Sequence, residues 1–130
     1  MANKENITKW VDALKSGEYE QTVGALRNEW GYCCLGVACD VAIKNGLNVI
    51  VEEVEGEDVS YDGSLAYLPE SVSGWLGLEE MPYALVANNE RSLVCLNDSD
   101  LWTLDQIAQA IKETYLEDGD VNISVPMDTE

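Results

Sequence analysis

The chain has no histidine, and its 130 residues carry only seven basic side chains against 25 acidic ones. Without histidine it lacks the commonest general base, the usual activator of a Cys or Ser nucleophile, and the commonest metal ligand. Hydrolases built on Cys-His or Ser-His-Asp are excluded, and a non-enzymatic protein is expected. No run of 18 apolar residues occurs, so no spanning helix is expected. The opening MANKENITKW has no apolar core, which argues against a secretion signal and for a cytoplasmic protein. A Gly-rich phosphate loop is missing too, because Gly74 and Gly77 have neither the spacing nor a following Lys. There is no internal repeat, low-complexity tract or linker, and the length suits one domain with one core.

The charge that is present is unevenly spread. Residues 1–44 hold five bases against six acids, a net of −1, whereas residues 45–130 hold two bases against nineteen acids, a net of −17. Such a division points to two surfaces with different partners. A total of −18 repels the phosphate backbone and anionic bilayers alike, so neither duplex nucleic acid nor a membrane is an expected partner. The acidic portion could instead compete with nucleic acid for a basic protein groove. An apolar fraction of 46% with four Trp and six Tyr supports a folded chain despite the charge.

Hydrophobic spacing sets the expected elements. Ile7, Trp10, Val11 and Leu14 follow one helix face, predicting a helix over 7–16 capped by Asn6 and stopped at Gly17. A short strand is expected at 22–26 and a turn at 28–31. Leu35, Ala38, Cys39, Ala42 and Ile43 predict a helix over 33–45. Residues 48–54 and 59–61 form a hairpin pattern, with a further turn at Asp62-Gly63. Pro69 suits a helix start ending at Gly77. Residues 83–87 and 92–96 suggest a hairpin around 88–91. Thr103 and Gln106 form a capping box ahead of Leu104, Ile107, Ala108, Ile111 and Tyr115. The sum is a single α+β domain over 1–116, with three to four helices on a small, mostly antiparallel sheet, followed by an acidic flexible tail at 117–130.

Chemistry-bearing residues are few. Cys33, Cys34, Cys39 and Cys95 lack the paired-knuckle spacing of a zinc site, and reduced core thiols are expected, with no metal and no cofactor. Asp98, Asp100 and Asp105 lack the Gly and closing Glu of a calcium loop, and an Asx-type turn into a helix is expected there. Glu52, Glu53 and Glu55 suggest a solvated face. The candidate ligand site is the near-neutral third. Lys9, Lys15 and Arg27 are anion donors, Trp10, Tyr19, Trp30 and Tyr32 are stacking faces, and Gln21 is an amide reader. The competing reading makes Trp10 a core residue and the lysines ordinary surface.

The stretch Lys9-Trp10-Val11, Ala13-Leu14, Ser16-Gly17, Tyr19, Gln21, Gly24, Leu26-Arg27 and Cys33-Cys34-Leu35-Gly36-Val37…Cys39-Asp40 resembles a family of small uncharacterised bacteriophage proteins. Leu68-Pro69…Val72…Trp75-Leu76-Gly77-Leu78 is similar to the middle motif of that family. Leu96-Asn97-Asp98…Thr103-Leu104…Ile107-Ala108…Ile111 is similar to its third. The chain departs from the pattern at Leu104, where an aromatic is usual, and at Asp100, where Gly is usual. The resemblance implies a phage origin and the host cytoplasm, and no reaction. The expected function is a non-enzymatic phage accessory protein, acting in counter-defence, that sequesters a small nucleotide-like anion through Lys9, Trp10, Lys15, Tyr19, Gln21 and Arg27. The alternative is an acidic nucleic-acid mimic that occupies a basic groove on a host protein. A homo-oligomer is left open.

Overall fold

Asn3, not Asn6, starts the first helix. Its side chain accepts the Asn6 backbone N–H at 3.1 Å, which moves the start of α1 (Lys4–Lys15) three residues earlier than expected. Asn6 is then free to donate its side-chain amide to the Trp75 carbonyl. The computed structural model describes residues 2–116, and the expected tail lies outside them. Chain order continues with β1 (Arg27–Asn28), β2 (Gly31–Tyr32), α2 (Cys34–Lys44), β3 (Val51–Glu52), β4 (Ser60–Tyr61), α3 (Glu70–Leu76), β5 (Tyr83–Val86), β6 (Asn89–Ser92), α4 (Leu93–Asp98) and α5 (Leu104–Ile111), which runs into a π-helical turn at Lys112–Leu116. The fold is α+β. Among the described residues it has five α-helices rather than three or four, and three separate two-stranded antiparallel ribbons in place of one sheet.

The helices form the core. α2 is buried over Cys34–Cys39 and at Val41 and Ala42, and it lies against α1, α3 and α4. A helix apolar on nearly every side belongs in an interior. α1 presents Ile7, Trp10, Val11 and Leu14 to α2 and α5, as its spacing required. Each fully buried Ile or Leu here contributes about 1.5–3 kcal/mol over exposure. The Thr103–Gln106 capping box is present at α5, and its apolar stripe is buried from Leu104 to Ile111.

Two strand expectations fail for local reasons. Residues 22–26 form no strand, because Gln21 makes one isolated bridge to Tyr32 and the pairing falls instead at Arg27–Tyr32 and Asn28–Gly31. The hairpin expected around residues 88–91 turns earlier, at Ala87-Asn88, where both residues have positive φ (52° and 69°). That is the mirror-image turn that suits a two-residue hairpin. The return strand therefore ends at Ser92, whose side chain caps α4 through the Cys95 N–H. Residues 93–96 are helical, not extended. Asn97 and Asp98 close α4 rather than form an Asx turn.

Cys33, Cys34 and Cys39 are buried free thiols, and Cys95 is half-exposed beside the Arg91 guanidinium. Burial pushes the Cys33 thiol up to about 11 and raises Cys34 and Cys39 as well. Among the described residues, no group of three or more Cys, Asp or Glu is placed to hold a metal ion. A thiol reagent at pH 8 is expected to modify Cys95 alone in the native protein and all four cysteines in denaturant. Fast native modification of two or more would contradict this burial. The folded state holds these thiol protons more tightly than the unfolded chain. For Cys33 that stabilisation is thus full below about pH 8.5 and is lost as the pH climbs toward about 11, and for Cys34 and Cys39 the loss extends higher still.

Candidate functional site

Six residues are expected to share a ligand site, and the structure brings only two of them, Tyr19 and Arg27, into one cluster. Trp10 is fully buried, with its indole N–H donating to the Cys34 carbonyl at 2.9 Å, so it is core and cannot stack on a ligand. Gln21 spends its amide inside the fold, donating to Asn97 Oδ1 and to the Trp102 carbonyl, both at 2.8 Å. Lys15 turns toward α5 and donates to Gln109 Oε1 at 3.2 Å. Lys9 lies half-exposed on α1, and the six-residue spacing sets it about 120° around the helix axis from Lys15.

Tyr19 and Arg27 do meet, through Tyr32. Tyr19 packs edge-on against Tyr32 with ring centroids 5.0 Å apart. The Arg27 guanidinium lies 5.1 Å over the Tyr32 ring, and Lys44 Nζ lies 5.6 Å over the Tyr19 ring. The second cation of the cluster is therefore Lys44, not Lys9 or Lys15. β2 supplies Tyr32, the connection after α1 supplies Tyr19, and the last turn of α2 supplies Lys44.

Each cation already has a carboxylate. Arg27 pairs with Glu53 at 3.2 Å and Lys44 with Asp40 at 3.1 Å. Tyr19 donates its hydroxyl to Asp40. Burial, and then this hydrogen bond, push the Tyr19 phenol up to about 12. Burial pushes Tyr61 to about 12 against the opposing pull of Arg27. Burial disfavours the Arg27 charge, but Tyr61, Tyr32 and Glu53 outweigh it and leave its pKa raised. The cluster thus has a neutralised, hydrogen-bonded interior.

The concave surface beside it is acidic. A groove of about 400 Å³ runs along Arg27, Asn28, Glu29, Val54 and the carboxylates Glu53, Glu55 and Glu57. A smaller cleft of about 120 Å³ shares Asn28, Glu29, Gly56 and Glu57 and adds Trp30 and Asp58. Five carboxylates and one guanidinium line the two together. The Val59 N–H bonds the Arg27 carbonyl at 2.9 Å, which holds the β3–β4 loop against the β1–β2 ribbon. In the sequence Trp30 reads as a stacking face and Glu53 and Glu55 as solvated. Nothing local joins them, because the two segments lie more than twenty residues apart.

Among the described residues no helix is long and apolar enough to cross a membrane. Searches of curated proteins and of solved structures found no match. A family model does match, over residues 2–115, so all the helices and ribbons above fall within one family unit. The chain belongs to the family described as Domain of unknown function (DUF8296).

Proposed function

We propose that this chain is a non-catalytic accessory protein of phage origin that presents an acidic face to a basic groove on a host protein. One observation carries the proposal: the groove beside Arg27 is walled by Glu29, Glu53, Glu55 and Glu57, and Arg27 is itself neutralised by Glu53. Such a surface attracts cations and repels phosphate. A partner would be steered in by the long-range field, and nucleic acid would compete for the partner's basic groove. The test recovers partners from host extract on the immobilised full chain and then titrates salt and duplex DNA. Release is expected at moderate salt and on addition of DNA, because exposed charges are screened over about 8 Å at physiological ionic strength. A partner retained through high salt and excess DNA would sink the proposal.

A second function is favoured by the cation–tyrosine cluster. Arg27 and Lys44 stand over adjacent aromatic rings, which supports a nucleotide-like anion bound there in exchange for Glu53 and Asp40. Calorimetry against linear and cyclic nucleotides tests this. Arg27→Ala is expected to weaken binding roughly tenfold to a hundredfold if the site exists. No heat with any nucleotide would dispose of it.

A further inference from the structure

Building on the acidic-face function above, we propose that Trp30 is the anchor of the docking face and stacks on an arginine side chain of the basic partner. Trp30 is the outlier among the four tryptophans. Trp10 is fully buried and Trp75 and Trp102 are partly buried, whereas Trp30 is 70% exposed. A tryptophan carries more apolar surface than most residues, and its exposure forgoes the burial the other three obtain. Its position is nonetheless fixed. It sits on the tight connection between β1 and β2, and its backbone N–H is held by Asn28 Oδ1 at 2.9 Å.

The surroundings choose the occupant. Trp30 lines the smaller cleft with Gly56, Glu57 and Asp58, and Val54, 56% exposed, lines the adjoining groove. Gly56 lines both clefts, and beyond its chain neighbours no heavy atom lies within 4 Å of where its Cβ would stand, so the surface there is open. The combination is an exposed ring and an apolar neighbour inside a rim of carboxylates. A second copy of this chain would bring the same carboxylates against themselves, at −18 per molecule. Nucleic acid and anionic bilayers are repelled for the same reason. A cationic side chain is attracted by the rim and by the ring face together. A planar guanidinium suits both, stacking on indole while its edge donates to a carboxylate. Charge then sets how fast the partner arrives, and Trp30 sets how long it stays.

The test uses the full chain and three synthetic peptides of equal length: an Arg-Gly repeat, its citrulline counterpart, and a Lys-Gly repeat. Binding is read by tryptophan fluorescence and calorimetry at low salt. The expected result is that the Arg-Gly peptide binds best, that Trp30→Ala weakens it roughly three- to thirtyfold, and that Trp30→Phe recovers most of the loss. Thermal melts of both variants should match the parent, as fits an exposed site. If Trp30→Ala binds the Arg-Gly peptide as well as the parent does, the anchor is wrong and the acidic face survives. If neither basic peptide binds, or the citrulline peptide binds equally well, the anchor and the acidic face both fail. Sedimentation showing a dimer abolished by Trp30→Ala would make a second copy the occupant and overturn the proposal.

Discussion

Replacing Gly36 with alanine is expected to destabilise the protein by about 3 kcal/mol or more, against the usual sign for a helical glycine. In an open helix, Gly→Ala gains roughly 0.5–1 kcal/mol. At Gly36 the new Cβ would stand 1.8 Å from the Leu26 carbonyl oxygen and 2.8 Å from its carbon. Both are backbone atoms, and that same oxygen accepts the Cys33 N–H at the start of α2. The clash cannot be relieved by a rotamer change. Either α2 moves off the strand connection or the Cys33 bond breaks, so the steric cost exceeds the helical gain. Gly74 is the control. It lies in α3, and an added methyl group there would meet no heavy atom within 4 Å beyond its chain neighbours and its own helix backbone, so Gly74→Ala should stabilise by about 0.5–1 kcal/mol. Urea melts of the two variants should shift in opposite directions. A Gly36→Ala midpoint at or above the parent's would show that α2 does not approach residue 26 so closely.

Asn97→Ala should cost about 3–5 kcal/mol, and Asn97→Leu about as much. Asn97 is fully buried and uses both ends of its amide. Oδ1 accepts from Gln21 Nε2 at 2.8 Å and from the Cys34 backbone N–H at 3.3 Å. Nδ2 donates to the Thr22 carbonyl at 2.9 Å and to Asp98 Oδ1 at 2.8 Å. The Cys34 N–H is one of the orphan donors of the first turn of α2, and the N-cap residue Cys33 offers it no side-chain bond. Asn97 therefore caps α2 from a distant helix. Removing the amide strands a buried N–H and a buried carbonyl, at about 1–3 kcal/mol each. Leucine fills the volume but satisfies neither, which separates this loss from a cavity effect. If Asn97→Leu melts like the parent, the amide is not the tie between residues 21–22, α2 and α4.

The long helices and some of their stops were legible in residue order alone. The 3.6-residue stripes at Ile7–Leu14, Leu35–Ile43 and Leu104–Tyr115 are local patterns many residues long, and each is buried except at the ends of the last two, where Ile43 and Tyr115 are half-buried. Gly17 and Gly77 have the positive φ their positions required, and so does the Asp62-Gly63 turn. The capping box was legible because both halves lie within four residues. The remainder depended on contacts between distant segments. β1 to β4 are two residues each, too short to show a period-2 pattern, and only β5 and β6 reach four. Whether a polar side chain is a ligand group or an internal tie depends on what stands opposite it. Trp10 met the Cys34 carbonyl, Gln21 met Asn97, and Lys15 met Gln109. The same holds for the acidic groove. Residues 27–30 and 53–59 carry no joint signal while apart in the chain. The bond from Val59 to Arg27 brings the exposed Trp30 and the carboxylates to one surface.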